Sequence, residues 1–260
     1  MISLRRWRHC YRLRRERISN SMWNELAAGA PLIAQYAGAD RTKLRRLTER
    51  FMLKKDIRGV GGLEMTDPMR LLIAASSCVP ILHLDLDWYL GWVSVLVYPA
   101  GFVVHHEFMD EAGVMHDLVQ PLSGESWLRG PVILSWEDVA HDAIGASGRN
   151  LVIHELAHKL DALNGVVNGM PPLHRGMDRA AWTAAFADAF NDLQGRVLEG
   201  RLLPIDGYGA EAPGEFFAVA SEALFVKPVA LYHAYPEVYR QMCRFYRQDP
   251  ADWVRSRPAG

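Results

Sequence analysis

Leu151-Val152-Ile153-His154-Glu155-Leu156-Ala157-His158-Lys159-Leu160-Asp161 is the stretch on which the reading of this chain turns. It carries the pattern HExxH. Four residues of helix advance about 6 Å and return to the same face, so His154 and His158 can present both imidazoles to one ion. Ile153, Leu156, Ala157 and Leu160 give the helix an apolar surface to pack, and a packed helix is the rigid mount that a metal site requires. Hydrolytic zinc sites take nitrogen and carboxylate ligands and keep one position open. Glu155 is read as the general base rather than a ligand. It takes a proton from a water whose pKa the ion lowers toward ~7, and later returns it to the leaving amine. The expectation is a metallopeptidase with one Zn2+ per chain.

A third ligand is needed, and spacing leaves several acids open. Asp161 follows His154 by seven residues and can instead orient a histidine ring from behind. Further on, Pro213-Gly214-Glu215-Phe216-Phe217-Ala218-Val219-Ala220-Ser221-Glu222 starts a helix at its proline. Glu215 and Glu222 share one face of that helix, next to an apolar stripe of Phe216, Val219, Ala220 and Leu224.

Outward from the motif, the chain of 260 residues is ordinary for a globular protein, with 50% apolar and 23% charged residues. That length suits one large domain, or a core domain with a smaller N-terminal one. A formal net charge of −1 gives no overall pull toward nucleic acid or anionic membrane. Cys10, Cys78 and Cys243 are odd in number and far apart, which argues against a disulfide framework or a cysteine metal site. The start of the chain has no apolar stretch after its charges, as a secretory signal would, and no apolar run is long enough to span a bilayer. A cytoplasmic location is expected, with no membrane partner.

Residues 1–20 form a basic arm, read as solvated because no paired motif supports nucleic-acid binding. Residues 21–58 read as helix, and Gly59-Val60-Gly61-Gly62 as a turn. Thr66-Asp67-Pro68 opens a helix over about 69–78. From Trp88 to Trp136 the period shortens. Val93, Val95 and Val97 alternate with Ser94, Leu96 and Tyr98, and Val103-Val104 and Val132-Ile133-Leu134 are further strands. Glu111-Ala112-Gly113 reads as a hairpin turn. Gly130 to Trp136, with proline near its start, is taken as an edge strand for an extended peptide. Helices follow at about 148–162, 178–199, 214–226 and 236–247. Asn164-Gly165 and the segment from Asn168 to Pro172 make a loop that shapes the cleft, with His174 on the surface. The class is α+β. The expected division is an arm (1–20), a helical region packed on the core (21–85), a catalytic domain (86–250) and a tail (251–260).

The chain resembles the Mlc titration factor A family of zinc peptidases. The likeness runs from about residue 40 to Pro250. It rests on the segments Gly62–Asp67, Leu71–Ala75, Leu86–Tyr89, Leu122–Trp127 and Gly130–Trp136, on the HELAHKLDALNG segment, and on Glu215–Ala218 and Phe245–Pro250. It implies a zincin-like fold with a small mixed sheet, of the gluzincin type, whose third ligand is a glutamate on a later helix; the matching position is Glu215. It also implies similarity to the catalytic domain of anthrax lethal factor, which places a tyrosine seven residues before its ligand glutamate. Tyr208 stands there, suited to donate to the oxyanion. Lethal factor has a second acid four residues after that glutamate. Here the position is Val219, so an orienting role passes to Glu222 or Asp161. The family further suggests a histidine from the sheet region, here His116, as an additional and autoinhibitory metal contact. Family members act as aminopeptidase-like enzymes and bind a transcriptional repressor. The expected partners are therefore a peptide or protein substrate and such a repressor, with no direct nucleic-acid contact. The alternative function is a regulatory protein that sequesters the repressor.

Overall fold

The computed structural model describes residues 18–100, 103–109, 115–121, 130–145 and 147–255, with residues 103–109, 115–121 and 253–255 described by their backbone alone. The basic arm up to residue 17 and the expected turn at 111–113 lie outside the described residues.

Helix α1 (Asn20–Gly29) starts where the Ser19 hydroxyl accepts the Met22 N–H at 3.1 Å, which satisfies one of the free donors of its first turn. The single helical run expected over 21–58 is broken three times. Ala30 is extended before Pro31, whose ring disfavours helix at the residue before it. The short α2 (Pro31–Ala34) therefore stands apart from α3 (Gly38–Lys54), and Gly38 takes φ +54 at the break between them. After Lys54 the chain becomes β1 (Asp56–Gly59), four residues too short to show a period in the sequence. The glycine turn follows, with Gly61 and Gly62 at positive φ. Thr66 then caps α4 (Asp67–Cys78), with Pro68 in the first turn as expected.

Strand β2 (Ser94–Tyr98) is the middle of a three-stranded parallel sheet, flanked by β1 and by β5 (Val132–Ser135). Val95 and Val97 are buried while Ser94, Leu96 and Tyr98 are half-buried, so the alternation seen in the sequence is kept. The antiparallel pairing belongs to a separate hairpin, β3 (Val103–Met109) with β4 (Met115–Pro121). Among the described strands β5 has a free side, in keeping with an edge.

Helices make up most of the rest: α5 (Trp136–Ala143), α6 (Leu151–Asp161), α7 (Arg179–Leu198), α8 (Pro213–Val226), α9 (Pro228–Ala234), α10 (Pro236–Tyr246) and α11 (Pro250–Arg255). The fold is α+β and zincin-like, with the HExxH helix α6 at its centre. It packs against α8, β5 and α4. Ile153, Leu156, Ala157 and Leu160 are all buried completely, as are Phe217, Ala220 and Leu224 of α8. Each such large side chain contributes roughly 1.5–3 kcal/mol on burial. Trp23, Ile33, Leu44 and Phe51 of the N-terminal helices belong to the same continuous apolar cluster. Aromatic rings close its far side: Trp182 stacks on Phe186 at 4.3 Å, and Phe217 meets Phe245 edge-on.

Candidate metal centre

Asn150 fixes the start of α6. Its side-chain oxygen accepts the Ile153 N–H at 3.0 Å, and its own N–H donates to Glu222 Oε2 at 2.6 Å. Glu222 Oε1 lies 2.7 Å from His154 Nδ1. One carboxylate on α8 thus grips both the first turn of α6 and the back of its first histidine. With Nδ1–H donating to Glu222, His154 turns a lone pair outward at Nε2.

That nitrogen is 3.1 Å from His158 Nε2 and 3.1 Å from Glu215 Oε2, and His158 Nε2 is 3.3 Å from the same oxygen. His154 and His158 are buried, while Glu215 is partly open. Three lone-pair atoms cannot crowd so closely unless a cation or proton lies among them. Ligands on a tetrahedral ion with bonds of 2.0–2.1 Å stand about 3.3 Å apart, so the spacing fits such an ion. Without one, protons fill the need. Burial pulls the His154 pKa down, but hydrogen bonds to Glu215 and Glu222 outweigh it and hold the pKa up at about 10. Burial pushes Glu215 up, and its bonds to the two histidines outweigh that and bring it to about 2. The three residues form a group able to hold a metal ion.

Glu155 is fully buried, and neither carboxylate oxygen has a hydrogen-bond partner among the described residues. Desolvation raises its pKa, and the two histidines only partly offset this. A buried carboxyl without a partner is costly in a fold that needs it only for packing. It is the arrangement a proton-transfer group takes.

A family model described as glucose-regulated metallo-peptidase M90 matches residues 4–247. Mlc titration factor A of Klebsiella pneumoniae (strain 342) is 38% identical over 233 residues, covering 89% of this chain and 88% of that protein. The Salmonella arizonae protein of the same name is 39% identical over 239 residues, covering 90% and 93%. That of Salmonella schwarzengrund is 40% identical over 238 residues, covering 90% and 88%. This chain belongs to the M90 metallo-peptidase family.

The other residues singled out in the sequence of this M90 chain fall in different places. Asp161 does not join the cluster. Its Oδ2 accepts the Gly169 N–H at 2.7 Å, and burial raises its pKa to about 6 against that bond. Tyr208 sits in a 3-10 turn, Gly207–Ala210, with its ring 5.9 Å from that of His154. Both rings line a cavity of about 300 Å³, together with Val219 and Glu222. His116 lies on β4 opposite Phe108, and its side chain lies outside the described residues. His174 is not the surface residue expected: it is half-buried, Nε2 lies 2.7 Å from the Phe245 carbonyl, and its ring stacks on Phe245. Among the described residues no helix is long and apolar enough to cross a membrane.

Motif and spacing single out neither Asn150 nor Asp206, and they show Gly169 only as part of a loop. Asn150 stood in view as an N-cap residue just before an apolar helix. Asp206 holds the tyrosine turn, its Oδ1 accepting the Tyr208 N–H at 3.0 Å.

Proposed function

We propose that this M90 chain is a zinc-dependent peptidase in which His154, His158 and Glu215 hold the ion. The observation that carries the reading is the set of three lone-pair atoms 3.1–3.3 Å apart, next to a buried, unpartnered Glu155. When bound, the ion supplies Lewis-acid polarisation of the scissile carbonyl and a water acidic enough to lose its proton near neutral pH. Glu155 takes that proton and delivers it to the amine nitrogen as the C–N bond breaks. Tyr208 donates its phenol hydrogen to the carbonyl oxygen as negative charge grows there. Glu222 keeps His154 in the tautomer that presents Nε2. Residues 86–250 act as the catalytic unit, residues 21–85 brace it, and the free side of β5 pairs with the extended substrate.

Glu155→Gln tests the reading. It should retain fold and zinc and lose peptide hydrolysis by at least about 100-fold. Equal cleavage by the purified mutant and wild type would sink it. The aminopeptidase-like part adds a requirement for a free amino terminus, so acetylated peptides should resist cleavage that their free forms undergo. The ring of His116 would serve as a further, inhibitory contact. Unchanged zinc affinity and unchanged basal activity in His116→Ala would remove it from the site.

A second role is supported by the relatives' name, which describes titration of Mlc. We propose that this chain also binds a transcriptional repressor of that kind in the cytoplasm. Pull-down with the Glu155→Gln protein separates the two roles, because binding should survive the loss of catalysis.

A further inference from the structure

A second cavity, of about 500 Å³, lies behind the first, and its lining includes His141, Arg149 and Lys227. It shares Arg149, Asp206, Val219 and Glu222 with the cavity that touches His154 and Tyr208. Its two acids are already engaged. Glu222 takes His154 Nδ1 and the Asn150 N–H. Asp206 takes the Tyr208 N–H and lies 3.6 Å from Arg149.

Among the described residues Lys227 has no carboxylate within ion-pair distance, and Arg149 has Asp206 alone, at 3.6 Å. Lys227 reaches across the loop before α6: a β-carbon on Gly148 would stand 2.0 Å from its Nζ. A glycine at that position leaves the ammonium room to lie over the loop. The cavity therefore sets the Arg149 guanidinium, from the loop before α6, and the Lys227 ammonium, just past the end of α8, on one open space, with the His141 ring of α5 in the same lining. That space adjoins the cavity that His154 and Tyr208 border.

We propose that this cavity is a carboxylate subsite, binding the C-terminal carboxylate or an acidic side chain of a peptide held at the metal centre. The ligand follows from charge: an anion bridging Lys227 and Arg149 forms charge-assisted hydrogen bonds that solvent alone does not supply. This inference rests on the peptidase reading for its setting, but its test does not depend on turnover.

Calorimetric titration of the full-length, zinc-loaded Glu155→Gln protein with short alanine peptides measures it directly. Three peptides suffice: one amidated and neutral, one with a free C-terminus, and one amidated with a single internal glutamate. At least one anionic form should bind about fivefold or more tighter than the neutral peptide, and which one does so identifies the carboxylate's source. Lys227→Glu should erase that preference and Lys227→Arg should keep it, which separates charge from any effect on folding. Equal binding of all three peptides, no binding at all, or a preference untouched by Lys227→Glu would overturn the subsite. If the preference holds while wild type cleaves none of the peptides, the catalytic reading fails and the subsite stands.

Discussion

Gly169 lies so close to Pro213 that a β-carbon on Gly169 would stand 2.5 Å from the Pro213 carbonyl oxygen. The same glycine donates its N–H to Asp161 and accepts the indole N–H of Trp182 at 3.0 Å. One small residue therefore joins the end of α6, which carries both histidines, to the start of α8, which carries Glu215. Gly169→Ala should cost about 1–3 kcal/mol, because φ is +79 and the new methyl must displace Pro213. Moving Pro213 also moves Glu215, two residues on, so zinc affinity should fall as well. Gly176→Ala is the control: φ is +88 there but nothing lies within 4 Å. It should lose about 1 kcal/mol and leave zinc binding alone. Melting curves with and without zinc read both effects, and identical behaviour of the two variants would refute the coupling.

Glu222→Gln keeps an oxygen for the His154 N–H but turns an amide NH2 toward the Asn150 N–H, donor against donor. Leaving that pair unsatisfied should destabilise the protein by about 1–3 kcal/mol. Loss of the carboxylate behind the histidine should weaken metal binding about 10–100-fold. Competition with a chromogenic chelator measures the second effect. An unchanged affinity would mean that Glu222 only braces the helix.

The centre was more legible in the sequence than its frame. His154, His158 and Glu155 fall within five residues of one helix, where spacing alone dictates geometry. Glu215 and Glu222 stood out as one acidic face at helical spacing, but only family resemblance distinguished their roles. Spacing cannot say which of two acids on a later helix reaches the histidines, because that depends on how α8 is set against α6. Strand β1 was hidden for a related reason. Four residues carry no period, and they are a strand only because β2 offers Ser94–Val97 as parallel partners. The breaks before Pro31 and at Gly38 carry proline and glycine punctuation, but the helical spacing of Leu44, Leu47 and Phe51 close by has the pattern of one unbroken run. The half-burial of His174 comes from Phe245, seventy-one residues away, and from Trp88, so no local pattern shows it.

Metal removal should reveal the crowding of lone pairs at the centre. With zinc present at 100 times its dissociation constant, a ligand that binds only the folded state adds about 2.7 kcal/mol. For a chain of this size that corresponds to a rise of roughly 5–10 °C in melting temperature. A chelator should reverse the rise. Glu215→Ala should abolish most of it, because two imidazoles remain and the third ligand is gone. A full zinc-dependent shift in Glu215→Ala would show that a different acid completes the site.

Asp161 offers a test through pH. Its carboxyl is fully buried, and its folded pKa is raised from 3.8 to about 6, first by desolvation and against the Gly169 N–H bond. Between those values the folded chain holds more of this proton than the unfolded chain does. Stability from this group is therefore present below pH 4 and is lost as pH rises toward 6 and beyond. The loss is of the order of 2–3 kcal/mol by the usual conversion of a pKa difference. Asp161→Asn keeps an oxygen for Gly169 and carries no charge, so it should remove that slope. Zinc-free urea unfolding at pH 4, 5, 6 and 7 should show the mutant gaining on wild type as pH rises, with the largest difference at pH 7. A mutant less stable than wild type at pH 7 would mean that the charge of Asp161 stabilises the joint between α6 and α8.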